Sequence, residues 1–189
     1  MSERKAPTGT ITGSAMELGW QTPPELFGLA AEYWGGRIPF DAATTDANPT
    51  NAVEFATPED DGLEMVWPFQ VWVNPPYGRS LRLWLDKIAH EAEQGTEIIS
   101  LLPAARWEQR YFQDSLYLAN AVTWIRKRVR FIRPSTGDRV SGNPYANMFI
   151  GWNVNPERWR ETIGRAGMSQ LLSPLSPCPD RLEARGAMP

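Results

Sequence analysis

Residues 70–92 read QVWVNPPYGRSLRLWLDKIAHEA and predict a strand, a rigid turn and an amphipathic helix in succession. The apolar residues of 70–74 favour a strand, and the two prolines after it fix the backbone because each ring locks φ. Ser80 is a favourable N-cap, and apolar side chains follow it at helical spacing. These side chains are Leu81, Trp84, Leu85, Ile88, Ala89 and Ala92. Asn74 therefore lies at the carboxyl end of a predicted strand.

Strands and helices alternate over the rest of the chain as well. We predict further helices at 24–34, 106–118 and 156–164, and further strands at 38–43, 97–102, 121–126, 128–133 and 145–152. This order favours the α/β class, with a mainly parallel sheet that is covered by helices on both faces. The last two strands, joined by a polar loop, add an antiparallel hairpin at one edge. In such sheets ligands bind beyond the carboxyl ends of the strands, where Asp41 and Asn74 are expected to meet.

Length and composition favour a single domain. The chain has 189 residues, of which 42% are hydrophobic, and this is enough for one core. Polar residues 1–15 predict a disordered arm, residues 16–172 the domain, and proline-rich residues 173–189 a flexible tail. No apolar run approaches the roughly 20 residues of a membrane span, and the N-terminus lacks the apolar core of a signal peptide. We therefore expect a cytoplasmic protein, of an oligomeric state that the sequence leaves open.

Charge and rare residue types exclude several kinds of site. Because the net charge is -3, a nucleic-acid-binding surface needs a local basic patch. A single cysteine, Cys178, excludes an internal disulfide, and a single histidine, His90, argues against a metal centre. The nine tryptophans offer rings for stacking on bases, although most of them are expected to pack in the core.

The tetrapeptide Asn74-Pro75-Pro76-Tyr77 is suited to reactions of an exocyclic amine. Such an amine is a poor nucleophile because its lone pair is delocalised into the ring. Two acceptors that hold its two N–H groups favour a tetrahedral nitrogen whose lone pair points at an electrophile such as a methyl group. The side-chain oxygen of Asn74 and the carbonyl of Pro75 are two such acceptors, and Tyr77 supplies a ring for base stacking. The alternative is a structural turn that merely ends a strand and begins a helix.

A run of basic residues, IRKRVRFIR, occupies 125–133 and contains five positive charges in nine residues. On an extended chain Arg128 and Arg130 share one face, whereas Val129 and Phe131 share the other. This pattern suits phosphate contact with base stacking, and it is also typical of an ordinary solvated face. The loops at 104–110 and 135–144 are further candidates for contact with nucleic acid.

Several stretches, taken in order, resemble the phage-type DNA N6-adenine methyltransferases. They are WQTPPELF (20–27), FDAATTDANPTNA (40–52), TPEDDGLEMVW (57–67), VWVNPPYG (71–78), the helix with Trp84, LLPA (101–104) and RVRF (128–131). The resemblance covers about residues 18–152. It implies a single-domain Rossmann-like methyltransferase fold, S-adenosylmethionine as cofactor, and adenine in DNA as the methyl acceptor. It also implies a phage or prophage protein in a bacterial host.

The resemblance implies roles for individual residues. The catalytic residues are Asn74, Pro75, Pro76 and Tyr77; the cofactor contacts are Thr22, Pro23, Phe40, Asp41, Ala42, Asp61 and Leu63; the nucleic-acid contacts are Arg128, Arg130 and Phe131. Asp41 is expected to attract the positive charge of the cofactor. As alternatives, Thr22 is an N-cap candidate with Pro23 at the first helical position, Asp41 caps a loop, and Asp61 caps a helical turn.

One departure concerns the backbone after Asp41. Many methyltransferases carry a glycine-rich turn there, whereas this chain reads AATTDANPTNA at 42–52. The freedom of approach that glycine gives is missing, so a cofactor has to pass over small alanine and threonine side chains. Two other readings stay open: another planar amine acceptor (cytosine N4, RNA guanine N2 or a glutamine amide), and a non-catalytic nucleic-acid-binding module.

Overall fold

The computed structural model of the protein describes residues 20–140 and 144–173. Within these residues one sheet of seven strands is flanked by four α-helices. The strands are β1 (Phe40–Asp41), β2 (Glu54–Phe55), β3 (Gln70–Val73), β4 (Glu97–Pro103), β5 (Ala119–Ile125), β6 (Asn147–Trp152) and β7 (Gly167–Leu171). The helices are α1 (Pro24–Tyr33), α2 (Leu81–Glu93), α3 (Arg110–Leu116) and α4 (Pro156–Glu161), with short 3₁₀ helices at Ala104–Arg106 and Ile163–Ala166. The predicted arm at 1–15 and residues 174–189 of the predicted tail lie outside the described residues.

The strands lie in the order β2-β1-β3-β4-β6-β5-β7. β2, β1, β3 and β4 pair in parallel, β6 lies antiparallel between β4 and β5, and β7 lies antiparallel along β5. Because β5 and β4 are both antiparallel to β6, they run in the same direction. The carboxyl ends of β1, β3, β4 and β5 therefore lie along one side of the sheet, which we call the carboxyl edge. The predicted α/β class is confirmed.

The predicted edge hairpin of residues 128–133 and 145–152 is wrong. Residues 128–133 form no strand; Ile132 makes only isolated bridges, to Gln21 and to Arg139. The other half of the predicted hairpin is β6, which pairs with β4 and β5 and so lies inside the sheet. All the residues of β6 are buried, as an inner strand covered on both faces requires.

Helices cover both faces of the sheet and create a core on each. Val71 and Val73 pack on one face with α2 and α3, whereas Trp72 packs on the other with α1 and α4. This alternation follows from the period of two along a strand. The apolar side chains predicted for α2 are all buried. In the described part of the chain no helix is long and apolar enough to cross a membrane.

Several element boundaries differ from the prediction. α1 begins at Pro24 with Pro23 as its N-cap residue and without a side-chain capping bond, so the prediction that Thr22 caps this helix is wrong. Strand β1 has two residues rather than the six of 38–43, and β2 and β7 were not predicted. Residues 57–60 form a hydrogen-bonded turn, in which the backbone N–H and the hydroxyl of Thr57 both donate to Asp60.

Candidate active site

Two neighbouring clefts open at the carboxyl edge where β1 and β3 end. The first has a volume of about 160 Å³ and the second of about 140 Å³. The residues that line the first include Trp20, Thr22, Asp41, Thr50, Trp72 and Asn74, and those of the second include Ala42, Thr57, Asp61, Gly62 and Trp84. The two clefts share Ala43, Thr44, Pro58 and Pro76 in their walls, so they adjoin each other. The expected meeting of Asp41 and Asn74 is therefore observed.

Asn74 lines the first cleft and carries a buried hydrogen-bond acceptor that has no partner within residues 20–140 and 144–173. Its side chain is buried, and its Nδ2 donates to the hydroxyl oxygen of Thr22 at 2.8 Å. This acceptor is Oδ1. Among the described residues it is the one buried polar side-chain atom that lacks a hydrogen-bond partner. Because a buried acceptor without a donor is costly, such an atom calls for an explanation, and a ligand N–H group is the simplest.

Tyr77 lies behind the cleft rather than in its wall. Its ring is 7% exposed and packs edge to face against Phe131, with centroids 6.2 Å apart. Its hydroxyl donates to the carbonyl of Leu101 at 3.0 Å and accepts from Nδ2 of Asn147 at 3.1 Å. Burial raises the pKa of the Tyr77 phenol. The hydroxyl thus joins the turn after β3 to β4 and β6.

Asp41 places a buried carboxylate in the first cleft. Its Oδ2 accepts a hydrogen bond from the Thr50 hydroxyl at 2.7 Å, and its Oδ1 accepts one from the Ala43 N–H at 3.2 Å. Burial raises the pKa of this carboxyl to about 6, although both hydrogen bonds act in the opposite direction. No cation of the described residues pairs with Asp41, so its charge is available to a cationic ligand.

The second cleft is held together by a close approach of two backbone segments. A Cβ added at Gly62 would lie 2.1 Å from the carbonyl oxygen of Ala42, so only glycine fits there. Trp67 donates from its indole N–H to the Gly62 carbonyl at 2.8 Å and stacks on Trp84. Asp61 is exposed at the rim of this cleft and accepts a hydrogen bond from the Leu63 N–H.

The sequence profile of the DNA N-6-adenine-methyltransferase (Dam) family matches residues 10–169 of this 189-residue chain. The chain belongs to that family. It is therefore an adenine-specific DNA methyltransferase, which transfers a methyl group to N6 of adenine in DNA. The family implies S-adenosylmethionine as methyl donor, and the other amine acceptors are not favoured. No curated protein matches the chain.

Not every residue predicted to contact the cofactor lies at the surface of the clefts of this Dam-family enzyme. Thr22, Asp41, Ala42 and Asp61 line them, as do the catalytic candidates Asn74 and Pro76. Phe40 is buried in the core beside α2, and Leu63 packs against the same core. Pro23 is buried as the N-cap residue of α1, and Pro75 is buried between Asn74 and Pro76. Within the residues that the structure describes, no group of side chains is arranged to hold a metal ion.

The basic segment of the Dam-family enzyme follows β5 and so lies at the carboxyl edge. Arg128 and Arg130 are exposed, whereas Val129 and Phe131 are buried, which is the alternation expected from the sequence. Arg128 donates a hydrogen bond to the carbonyl of Pro144 at 3.0 Å. Phe131 is buried, and its ring stacks on Trp20 with centroids 6.5 Å apart and packs edge to face against Tyr77.

Sequence reasoning missed several residues of the Dam-family clefts. Trp20, Thr50 and Trp72 line the first cleft, and Trp84 lines the second. Trp20 and Thr50 fall inside the stretches that carry the family resemblance, which was the available indication. Their positions depend on long-range contacts: Gln21 bridges to Ile132, and the Thr50 hydroxyl reaches Asp41 from a following loop.

Proposed function

We propose that the two joined clefts are the active site of a Rossmann-like methyltransferase, which receives a flipped adenine beside S-adenosylmethionine. The observation that carries this proposal is the buried Oδ1 of Asn74, a residue that lines the first cleft; this atom is unpaired among the described residues. An acceptor buried there is suited to an N–H of the target amine. The carbonyl of Pro75, the next residue, is the proposed second acceptor.

Two acceptors change the electronic state of the target nitrogen. When its N–H groups are held out of the plane of the base, the lone pair is less delocalised and is directed towards the methyl donor. S-adenosylmethionine supplies a methyl group on a positively charged sulfur. The nitrogen forms the new bond to this methyl carbon as the carbon–sulfur bond breaks, and the electron pair stays on sulfur. The surplus proton of the nitrogen passes to solvent, so Asn74 acts as an orienting acceptor and needs no strongly basic side chain.

The charge and shape of the clefts suit the proposed cofactor. Asp41 offers a buried carboxylate to the positively charged end, and Thr22 and Pro23 lie on the same side, at the beginning of α1. Asp61 and the aromatic wall of Trp84 offer hydrogen-bonding and stacking contacts to the adenosine end. Backbone supported by Phe40, Ala42 and Leu63 shapes the path between the two ends.

The proposed DNA surface is the carboxyl edge around the clefts. Arg128 and Arg130 are exposed there and are suited to phosphate contact. Trp107 lies in the loop after β4 and is 62% exposed, so its ring is available for stacking on a base. Buried Phe131 supports this surface from beneath. Flipping the target base costs a few kcal/mol, which such contacts offset.

Similarity of the quoted motifs to phage-type enzymes supports a role in the cytoplasm of a bacterial host, where DNA is the substrate.

The decisive experiment is the single-turnover rate of Asn74→Ala with saturating cofactor on unmethylated DNA. Loss of one preorganised polar partner should slow methyl transfer by about 100-fold or more. Asn155→Ala is a matched control, because Asn155 caps α4 by accepting a hydrogen bond from the Arg158 N–H. The control should lower stability by about 1 kcal/mol without slowing transfer. A folded Asn74→Ala protein with a normal rate would remove the amine-orienting role, and mass spectrometry of the nucleosides identifies the methylated base.

A further inference from the structure

The hydroxyl of Thr22 is the hydrogen-bond partner of the catalytic amide. Nδ2 of Asn74 donates to Oγ1 of Thr22 at 2.8 Å, and the two residues are 52 positions apart in the sequence. Both side chains are more than nine-tenths buried and both line the first cleft. The contact holds one end of the amide, while the other end, Oδ1, has no partner in the described part of the chain.

The two ends of an asparagine amide have nearly the same shape and opposite hydrogen-bonding character. Only the orientation with Oδ1 towards the cleft offers an acceptor to the target amine. In the reversed orientation, the N–H donors of Asn74 would face the N–H donors of the substrate. These N–H donors would then be buried where Oδ1 now lies, and no hydrogen-bond partner is present there within residues 20–140 and 144–173.

We propose that Thr22 is a positioning residue for methyl transfer: its hydroxyl oxygen accepts from Asn74 and so keeps Oδ1 directed at the target nitrogen. This inference rests on the proposed role of Asn74. It adds a function to Thr22 beyond the contact with the cofactor that the family resemblance implies. A hydroxyl that accepts from Asn74 still has one hydrogen to donate, so contact with a cofactor carboxylate is compatible with positioning. Such a contact would hold the hydroxyl in its accepting orientation.

The backbone around Thr22 is restrained on both sides. Gln21 exchanges two backbone hydrogen bonds with Ile132, at 2.8 and 2.9 Å. Pro23 follows at φ -61° and ψ 141°, and the residue before a proline has few accessible conformations. Because Pro23 is the N-cap residue of α1, the Thr22 hydroxyl is not used in capping that helix. The threonine therefore presents its hydroxyl to Asn74 from a fixed position.

Thr22→Val and Thr22→Ser form a matched pair, because valine keeps the shape without the hydroxyl and serine keeps the hydroxyl without the methyl group. With saturating cofactor, Thr22→Val should slow single-turnover methyl transfer by about 10- to 100-fold, whereas Thr22→Ser should stay within about threefold of the unmodified enzyme. If the Thr22→Val protein does not fold, Thr22→Ala replaces it as the variant without a hydroxyl and is compared with Thr22→Ser in the same way. Cofactor dissociation constants and melting temperatures are measured on each protein.

A double variant separates failure of this inference from failure of the proposed function. Thr22→Val combined with Asn74→Ala should be no slower than Asn74→Ala alone, because the threonine acts through the asparagine. If Asn74→Ala transfers methyl groups slowly and Thr22→Val transfers them at the normal rate with saturating cofactor, the positioning role is overturned and the proposed function stays intact. A Thr22→Val protein that is weaker only in cofactor affinity overturns it as well. A normal rate for Asn74→Ala overturns the proposed function itself.

Discussion

Replacing Tyr77 by phenylalanine removes one oxygen atom and keeps the ring, so it isolates the role of the hydroxyl. That hydroxyl makes two buried hydrogen bonds, one to the Leu101 carbonyl and one from Asn147. A net contribution of about 0.5–1.5 kcal/mol per hydrogen bond gives a destabilisation of about 1–3 kcal/mol. In a protein of this size, about 2 kcal/mol corresponds to a fall in Tm of about 4–8 °C.

Activity should respond differently from stability. Since the ring is retained, Tyr77→Phe should transfer methyl groups at a rate within about threefold of the unmodified enzyme, at a temperature where it is fully folded. Tyr77→Ala removes the ring as well and should lose far more activity and far more stability, because deleting a buried aromatic side chain costs about 3–5 kcal/mol.

Thermal melting and single-turnover transfer are measured side by side. Tyr111→Phe is the control, because Tyr111 is a half-buried tyrosine whose ring packs against Phe112 away from the clefts. If Tyr77→Phe melts at the same temperature as the unmodified enzyme, the hydroxyl does not join the turn to β4 and β6 as argued. If it is stable and yet inactive, the hydroxyl has a chemical role that its burial does not suggest.

Further perturbations test the remaining parts of the site. Gly62→Ala should destabilise the protein and weaken cofactor binding in titration calorimetry, since the new Cβ would lie 2.1 Å from a backbone oxygen; normal melting would contradict this close approach. Cofactor affinity should fall as pH is lowered through about 6, because protonation removes the charge of Asp41, whose pKa burial raises to that value. Asp41→Asn should bind weakly at every pH, and an unchanged profile excludes Asp41 from the site. Arg128→Ala and Arg130→Ala should weaken DNA binding and flatten its salt dependence, whereas Trp107→Ala should weaken it with an unchanged slope; titrations of DNA across a salt series distinguish the two effects.

The part of the fold that could be predicted is the part with strong local patterns. The strand–turn–helix unit at 70–92 combines an apolar strand, two prolines and a helical repeat, and the structure has all three elements there. Strand β7 escaped prediction because GMSQL contains residues of low strand propensity and alternates only between half-buried and exposed positions. Strand β2 has two residues, too few to give any periodicity.

The location of β6 and the conformation of 128–133 could not be obtained from local patterns. An extended segment that covers a core shows the same alternation of buried and exposed residues whether or not it pairs with a neighbouring strand. Residues 128–133 do this through Val129 and Phe131 and gain only the isolated bridges of Ile132. Whether an antiparallel strand lies at an edge or inside a sheet depends on which strands pair with it, and the sequence of the strand alone does not determine these partners.

The clefts show the same division between local and long-range information. Asp41 and Asn74 were placed at the carboxyl edge because each ends a predicted strand, and Asp61 was assigned from the family resemblance. The bond from Asn74 to Thr22 joins segments that are 52 residues apart. The close approach of backbone at the end of β1 is long-range as well. Gly62 meets the Ala42 carbonyl from a separate loop, where a Cβ would lie 2.1 Å from that oxygen. The segment directly after Asp41 contains no glycine, so the residue that this packing requires could not be located from that segment alone.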